Sequence, residues 1–212
     1  KKNKQLTPEM EKIMREHNVP EWYIESCKKI QYMFPKAHAA AYVIAALRLA
    51  WYKVYRKLEY YCAYLTVRGG DVDAESMTKG KDAVSTLLKM IKAKGNEASQ
   101  AEKDKETIMM IVHEAMARGV EFLPIDIYKS TANSYEPEDG KIRMPFSCLP
   151  GVGEAAAEQL ANARNDGGAE FTSIEDFAIR ANASSSSIAA LRAVGAFGNL
   201  PESDQISLFE MM

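Results

Sequence analysis

The chain has 212 residues, 47% hydrophobic and 26% charged, with 27 Lys/Arg against 29 Asp/Glu. That is ordinary globular composition, enough for one large domain or two small ones. No apolar run approaches the roughly 18 residues that span a bilayer, and three scattered cysteines with three scattered histidines give no metal-ligand spacing, so neither a membrane protein nor a zinc protein is expected.

Charge is unevenly placed. Residues 1–60 carry 12 Lys/Arg against 6 Asp/Glu, and residues 61–212 carry 15 against 23. A basic first part beside an acidic remainder points to a polyanion partner for the first. Cys27, Cys62 and Cys148 lie far apart and cannot all pair, which predicts reduced thiols in a cytoplasmic setting. The opening KKNKQLTPEMEK holds no apolar block, and a chain beginning on Lys1 rather than Met is expected to be a piece of a longer protein.

Thr7-Pro8 starts a helix, a hydroxyl cap followed by Pro at the first helical position, and Val19-Pro20 ends it near Asn18. A second helix is expected from about Glu21 to Tyr32. After Phe34-Pro35 a third should run from Lys36 to Val54 or beyond; its apolar residues occupy every face, which predicts burial on most sides. Lys36 and His38 at the entrance of this helix, and the alanines after them, need an explanation that a core helix does not supply.

Arg68-Gly69-Gly70-Asp71 is a break. Residues 74–94 and 99–118 each read as one amphipathic helix, with Gly119 ending the second. Short alternating runs at 124–128 and 141–146, with Glu138-Asp139-Gly140 as a turn between them, predict a small β element. The paired acids Asp71/Asp73 and Glu136/Glu138 read as solvated loop residues. From Leu149 the text is helical again in short pieces, and the segment from Asn199 reads as an extended tail.

Residues 149–164, LPGVGEAAAEQLANAR, are the most specific stretch. Gly151-Val152-Gly153 makes a tight turn from which a helix starts at Glu154. Glycine suits a backbone that approaches a phosphate with no room for Cβ. Consecutive N–H groups at the helix start then offer partial positive charge to phosphate oxygens. Val152 packs inward, and Arg164 closes the helix. This resembles the helix-hairpin-helix motif, which holds the sugar-phosphate backbone without reading sequence, so Gly151, Val152, Gly153, Glu154 and Arg164 are the candidate DNA contacts. A degenerate second copy is expected, Ser184–Ser187 capping a helix through Val194 and Gly195-Ala196-Phe197-Gly198 making its turn. Near the chain end, Gln205-Ile206-Ser207-Leu208-Phe209 pairs one amide with two apolar anchors, as a docking peptide does.

These pieces occur together in one family. WYIESCKKI (22–30), MFPKAHAAAY (33–42) and LEYYCAY (58–64) resemble the PolC-type replicative DNA polymerase of Gram-positive bacteria, and the QISLF tail is similar to the peptide with which bacterial polymerases bind the sliding clamp. The resemblance covers nearly the whole chain, with 71–120 the least distinctive part. It implies a mainly α fold divided into the C-terminal part of the fingers (1–70), a helical linker with a small β element (71–148), a tandem helix-hairpin-helix duplex-binding domain (149–200) and a clamp-binding tail (201–212). It further implies that Lys36, His38 and Tyr42 face the incoming nucleotide, that Gln205, Leu208 and Phe209 bind the clamp, and that primer-template duplex, dNTP and sliding clamp are the partners, in the bacterial cytoplasm at the nucleoid. No cofactor is expected in this stretch. The catalytic Mg2+ ions would sit on palm carboxylates that it lacks, so it should not polymerise alone. The departures from the family are Tyr55-Arg56-Lys57 before the LEYY stretch, where added positive charge suits DNA, and three residues after Phe209. The competing readings are a non-enzymatic DNA-binding adaptor, which predicts a self-sufficient bundle over residues 1–60, and a helical scaffold in which GVG is only a turn.

Overall fold

The computed structural model describes residues 6–30, 35–70, 72–165 and 170–204. Ten α-helices and one three-stranded sheet lie among them, a mainly α fold. They form two compact units, residues 1–51 and 52–212.

The first unit holds α1 (Pro8–Glu16), α2 (Glu21–Lys29) and most of α3 (Lys36–Tyr55). Thr7 caps α1 by accepting from the Met10 N–H at 3.2 Å. Between α1 and α2, Arg15 reaches Glu11 at 3.2 Å and Glu21 at 2.7 Å, while Lys28 reaches Glu11 at 3.1 Å. Solvent screens these charges, so each pair adds little to stability. Ile24 is fully buried on α2.

The α3 helix departs from expectation. It is helical over the predicted span, yet none of its residues is buried, and Tyr42, Leu47, Val54 and Tyr55 are each more than half exposed. Its helicity therefore rests on intrinsic propensity, which the alanine-rich first half supplies. The apolar residues on its other faces indicate a partner surface, but not one offered by the described residues.

In the second unit, α4 (Lys57–Arg68) buries Tyr61, Cys62 and Leu65. The segment expected as one helix over 74–94 is two, α5 (Ala74–Lys79) and α6 (Lys81–Ala93), because Gly80 takes φ 98°. That left-handed geometry breaks a helix, and only glycine adopts it without strain. Asp73 caps α5 through the Ser76 N–H at 2.8 Å, so it is a structural carboxylate rather than a solvated one. Asp71 lies outside the described residues. In α7 (Gln100–Ala117), Ser99 and Glu102 form a reciprocal capping box. Its C-terminus closes at Gly119 (φ 79°), with the Val120 N–H on Ala115 O and the Gly119 N–H on Met116 O, the Schellman pattern. Lys57 Nζ adds a bond to Arg118 O at 2.9 Å, and Arg56 pairs with Glu59 at 3.3 Å. The charges expected at this corner to suit DNA are thus engaged within the protein.

The sheet has order β1 (Phe122–Leu123), β3 (Lys141–Arg143), β2 (Glu136–Glu138). β2 and β3 are an antiparallel hairpin whose two-residue turn, Asp139 (φ 50°) and Gly140 (φ 79°), has both residues left-handed, as a type I′ turn requires. The alternating run at 124–128 is not a strand. Ile125 and Ile127 are buried, but Asp126 N–H donates to Ser130 Oγ (3.0 Å) and the Asp126 carboxylate accepts from Tyr128 N–H (2.8 Å). Side chains satisfy the backbone there, so the alternation marks a looped segment with two inward anchors. The acids at 136 and 138 lie on β2 rather than in a loop, and Glu138 is paired. Arg143, 7% exposed, donates from Nε and Nη2 to both Glu138 oxygens at 2.7 Å and from Nη1 to Pro124 O at 2.6 Å. Arg143 and then Lys129 hold the Glu138 carboxyl down at about 2.

Candidate nucleic-acid interface

Three helices make the last layer: α8 (Glu154–Asn162), α9 (Ile174–Arg180) and α10 (Ser185–Ala193). A 3-10 turn at Phe146–Cys148 leads into Leu149-Pro150-Gly151-Val152-Gly153, and α8 begins at once. Gly151 takes φ 78°, and the Val152 N–H closes the turn on Leu149 O at 3.1 Å. Val152 is buried, and Ala157, Leu160 and Ala161 line the inner face of α8. The pattern read from the sequence sits as expected.

The chemistry lies at the start of α8. Gly153 is its N-cap, with no side chain accepting from the first-turn N–H groups, and nothing lies within 4 Å of where its Cβ would stand. By contrast Thr7, Asp73, Ser99, Ser173 and Ser184 cap their own helices. The α8 donors face an open space that a phosphate oxygen fits. Glu154 contributes a backbone N–H here, while its exposed carboxylate repels an anion. A cleft of about 470 Å3 opens beside the turn, lined by Gly70, Val72, Lys105, Ser147 and the turn itself. Cys148 also borders it, and burial pushes that thiol up to about 12, which leaves it unreactive.

Arg164 occupies a 3-10 turn after α8 and donates from Nη1 to Ser130 O at 2.8 Å. Ser130 is fully buried, and its hydroxyl donates to Met144 O at 2.8 Å. Arg164 thus ties the hairpin layer to the loop between β1 and β2, a positioning role that its place in the sequence does not signal.

The second hairpin exists, but its turn lies before α10 rather than after it. Asn182 takes φ 46° three residues ahead of the first residue of α10, as Gly151 does ahead of α8, and the Ala183 N–H bonds Ala178 O at 2.9 Å. Asn tolerates the left-handed region better than most residues, and it is the signal that could have located this turn. Gly195-Ala196-Phe197-Gly198, expected as the hairpin, is the C-terminal cap of α10, with the Ala196 N–H on Leu191 O and the Gly195 N–H on Arg192 O. Ser184 caps α10 by accepting from Ser187 N–H at 3.1 Å, so this copy offers fewer open donors than the first. An edge-to-face run of Phe171, Phe177 and Phe197 packs the layer, with the Arg180 guanidinium 4.3 Å from the Phe171 ring centroid.

On α3, Lys36, His38 and Tyr42 are all exposed. The His38 and Tyr42 rings meet edge to face, centroids 4.5 Å apart, as their i,i+4 spacing requires. Gln205, Leu208 and Phe209 lie outside the described residues. Among those described, no group of three or more His, Cys, Asp or Glu could hold a metal ion, and no helix is long and apolar enough to cross a membrane.

Comparison with known proteins agrees with this geometry. A family pattern described as a helix-hairpin-helix motif matches residues 119–205. Over 209 residues, 99% of the chain, the sequence is 44% identical to the DNA polymerase III PolC-type of Bacillus subtilis, 43% to that of Thermotoga petrophila and 45% to that of Clostridium perfringens. The chain spans only 14–15% of the length of these relatives.

Proposed function

We propose that this chain, similar to PolC-type DNA polymerase III along almost all of its length, is the duplex-holding portion of a replicative DNA polymerase, with the end of the fingers preceding it. The observation that carries the reading is the Gly151-Val152-Gly153 turn opening onto the uncapped start of α8, inside the stretch that matches the helix-hairpin-helix pattern. Such a site holds one strand through backbone N–H donors and does not discriminate bases. The exposed apolar side chains of α3 favour this over a free-standing adaptor, whose basic helices would pack on one another.

The test is titration of a labelled primer-template duplex by the chain, beside a Gly151→Val/Gly153→Val variant. Affinity should fall as salt is raised, as it does for phosphate-dominated binding, and should be lost in the variant. Equal binding by both proteins would move the contact to the basic first unit, and no binding by either would leave the scaffold reading.

Two finer assignments belong to the same proposal. Lys36 and the start of α3 would offer positive charge to a nucleotide triphosphate, with His38 and Tyr42 as further candidates; the supports are the exposure of Lys36 at the helix start, the face that His38 and Tyr42 share, and the family resemblance of the surrounding sequence. In the full-length polymerase, Lys36→Ala should lower kcat/KM for dNTP by about tenfold, and unchanged steady-state kinetics would remove Lys36 from the site. Gln205, Leu208 and Phe209 would dock on the sliding clamp, and the metal-binding carboxylates would lie in the palm, elsewhere in the whole enzyme.

A further inference from the structure

The cleft beside the hairpin turn has a wall from outside the helix-hairpin-helix segment. Lys105 stands on α7, ahead of the matched residues 119–205, yet it lines the same cleft as Gly151, Val152 and Gly153. Its ammonium makes no ion pair or hydrogen bond among the described residues, and among the lysines so placed it is the one that lines this cleft. The acids flanking it in sequence do not engage it either: Asp104 accepts from Gln100 Nε2 at 2.9 Å. Lys105 is half-buried, so its stem is held while its head remains available to the cleft. Gly70 and Ser147 add no charge to the lining, which leaves this lysine as its cation.

We propose that Lys105 is a second phosphate contact of the duplex site, placed so that the sugar-phosphate backbone lies between the α8 N-terminus and the α7 lysine. The proposal rests on the hairpin reading and extends it, because a neutral turn of backbone donors acquires a full positive charge supplied from another element. A single lysine on a flexible stem contributes charge without sequence information, as a backbone-holding site requires.

The experiment titrates a labelled duplex with the 212-residue chain and its Lys105→Gln, Lys105→Arg and Gly153→Asp variants between about 50 and 200 mM salt. Gln keeps most of the stem, so a role limited to covering apolar surface survives that change. Lys105→Gln should bind about three- to tenfold more weakly, equally for unrelated duplex sequences, and the log–log salt slope should drop by about 1. Lys105→Arg should restore both, and all the Lys105 variants should melt with the parent. Parental affinity and slope in Lys105→Gln, with binding lost in Gly153→Asp, would overturn the lysine contact and leave the hairpin reading intact. Parental binding in both would overturn the hairpin reading and this inference together. A lower melting temperature in Lys105→Gln without a change in slope would assign the lysine to packing.

Discussion

A Gly153→Asp variant should fold as well as the parent, or slightly better, and lose its grip on duplex DNA. Gly153 has φ −77° and ψ 169°, an extended geometry open to any residue, and its Cβ position is unobstructed. Asp there becomes the N-cap side chain that α8 lacks, accepting from its first-turn N–H groups, and should contribute up to about 0.5 kcal/mol over glycine. The same carboxylate then stands where a phosphate oxygen would be. Binding should weaken by at least tenfold, about 1.4 kcal/mol. A thermal melt and a duplex titration on one preparation read both effects. Retained binding would show that the α8 start is not where DNA sits. Gly151 is a poorer probe, since φ 78° strains any replacement and mixes folding with binding.

Replacing Glu138 with Leu should be among the most destabilising single changes in the second unit. It leaves the Arg143 guanidinium buried with Pro124 O as its one remaining acceptor among the described residues, and breaking the pair costs about 3 kcal/mol, the low end for buried pairs because Glu138 is partly exposed. Adding Arg143→Met should recover most of the loss, because an apolar pair of similar volume carries no uncompensated charge. Urea unfolding of the two variants beside the parent checks this; a double variant as unstable as the single would mean that the pair sets the strand register by more than charge. Acid tests the same bond. The Glu138 carboxyl lies at about 2 in the fold, below its ordinary value near 4.5, so its contribution is complete above about pH 4.5 and disappears as pH falls toward 2. The parent should therefore lose more stability across that window than Glu138→Leu/Arg143→Met.

Features written in adjacent residues were legible in the sequence. Thr7-Pro8, the Ser99/Glu102 box, Gly119 and the Gly-Val-Gly turn each join a local hydrogen-bond need to a residue that meets it. Features that depend on distant groups were not. The 124–128 run alternates as a strand does, and the Ser130 hydroxyl and the Asp126 carboxylate explain why it forms a loop instead. Gly80 could have been a tolerated helix glycine; its φ of 98° is decided by how α5 and α6 must fold back, each burying its own apolar positions. Asn182 is a weaker turn signal than the Gly-rich stretch further on, which is a helix cap. Within the candidate interface the turn was readable, but not the cleft: Lys105 and Gly151 are far apart in sequence and only packing brings them to one lining.

The exposure of α3 has a consequence for how heat acts on this chain. At about 1.5 Å per residue its 20 residues form a rod about 30 Å long with no buried residue, anchored near its C-terminal end by the Lys53–Glu114 bond. The alanine-rich first half, held mainly by propensity, frays gradually from its N-terminal end as temperature rises, whereas the packed helices of the second unit are lost in one cooperative step. The melting temperature of such a chain is that of its packed part alone. Its helical signal should decline on a slope from low temperature and then break sharply, and the slope should steepen when Ala39, Ala40 and Ala41 are exchanged for glycine while the break stays in place.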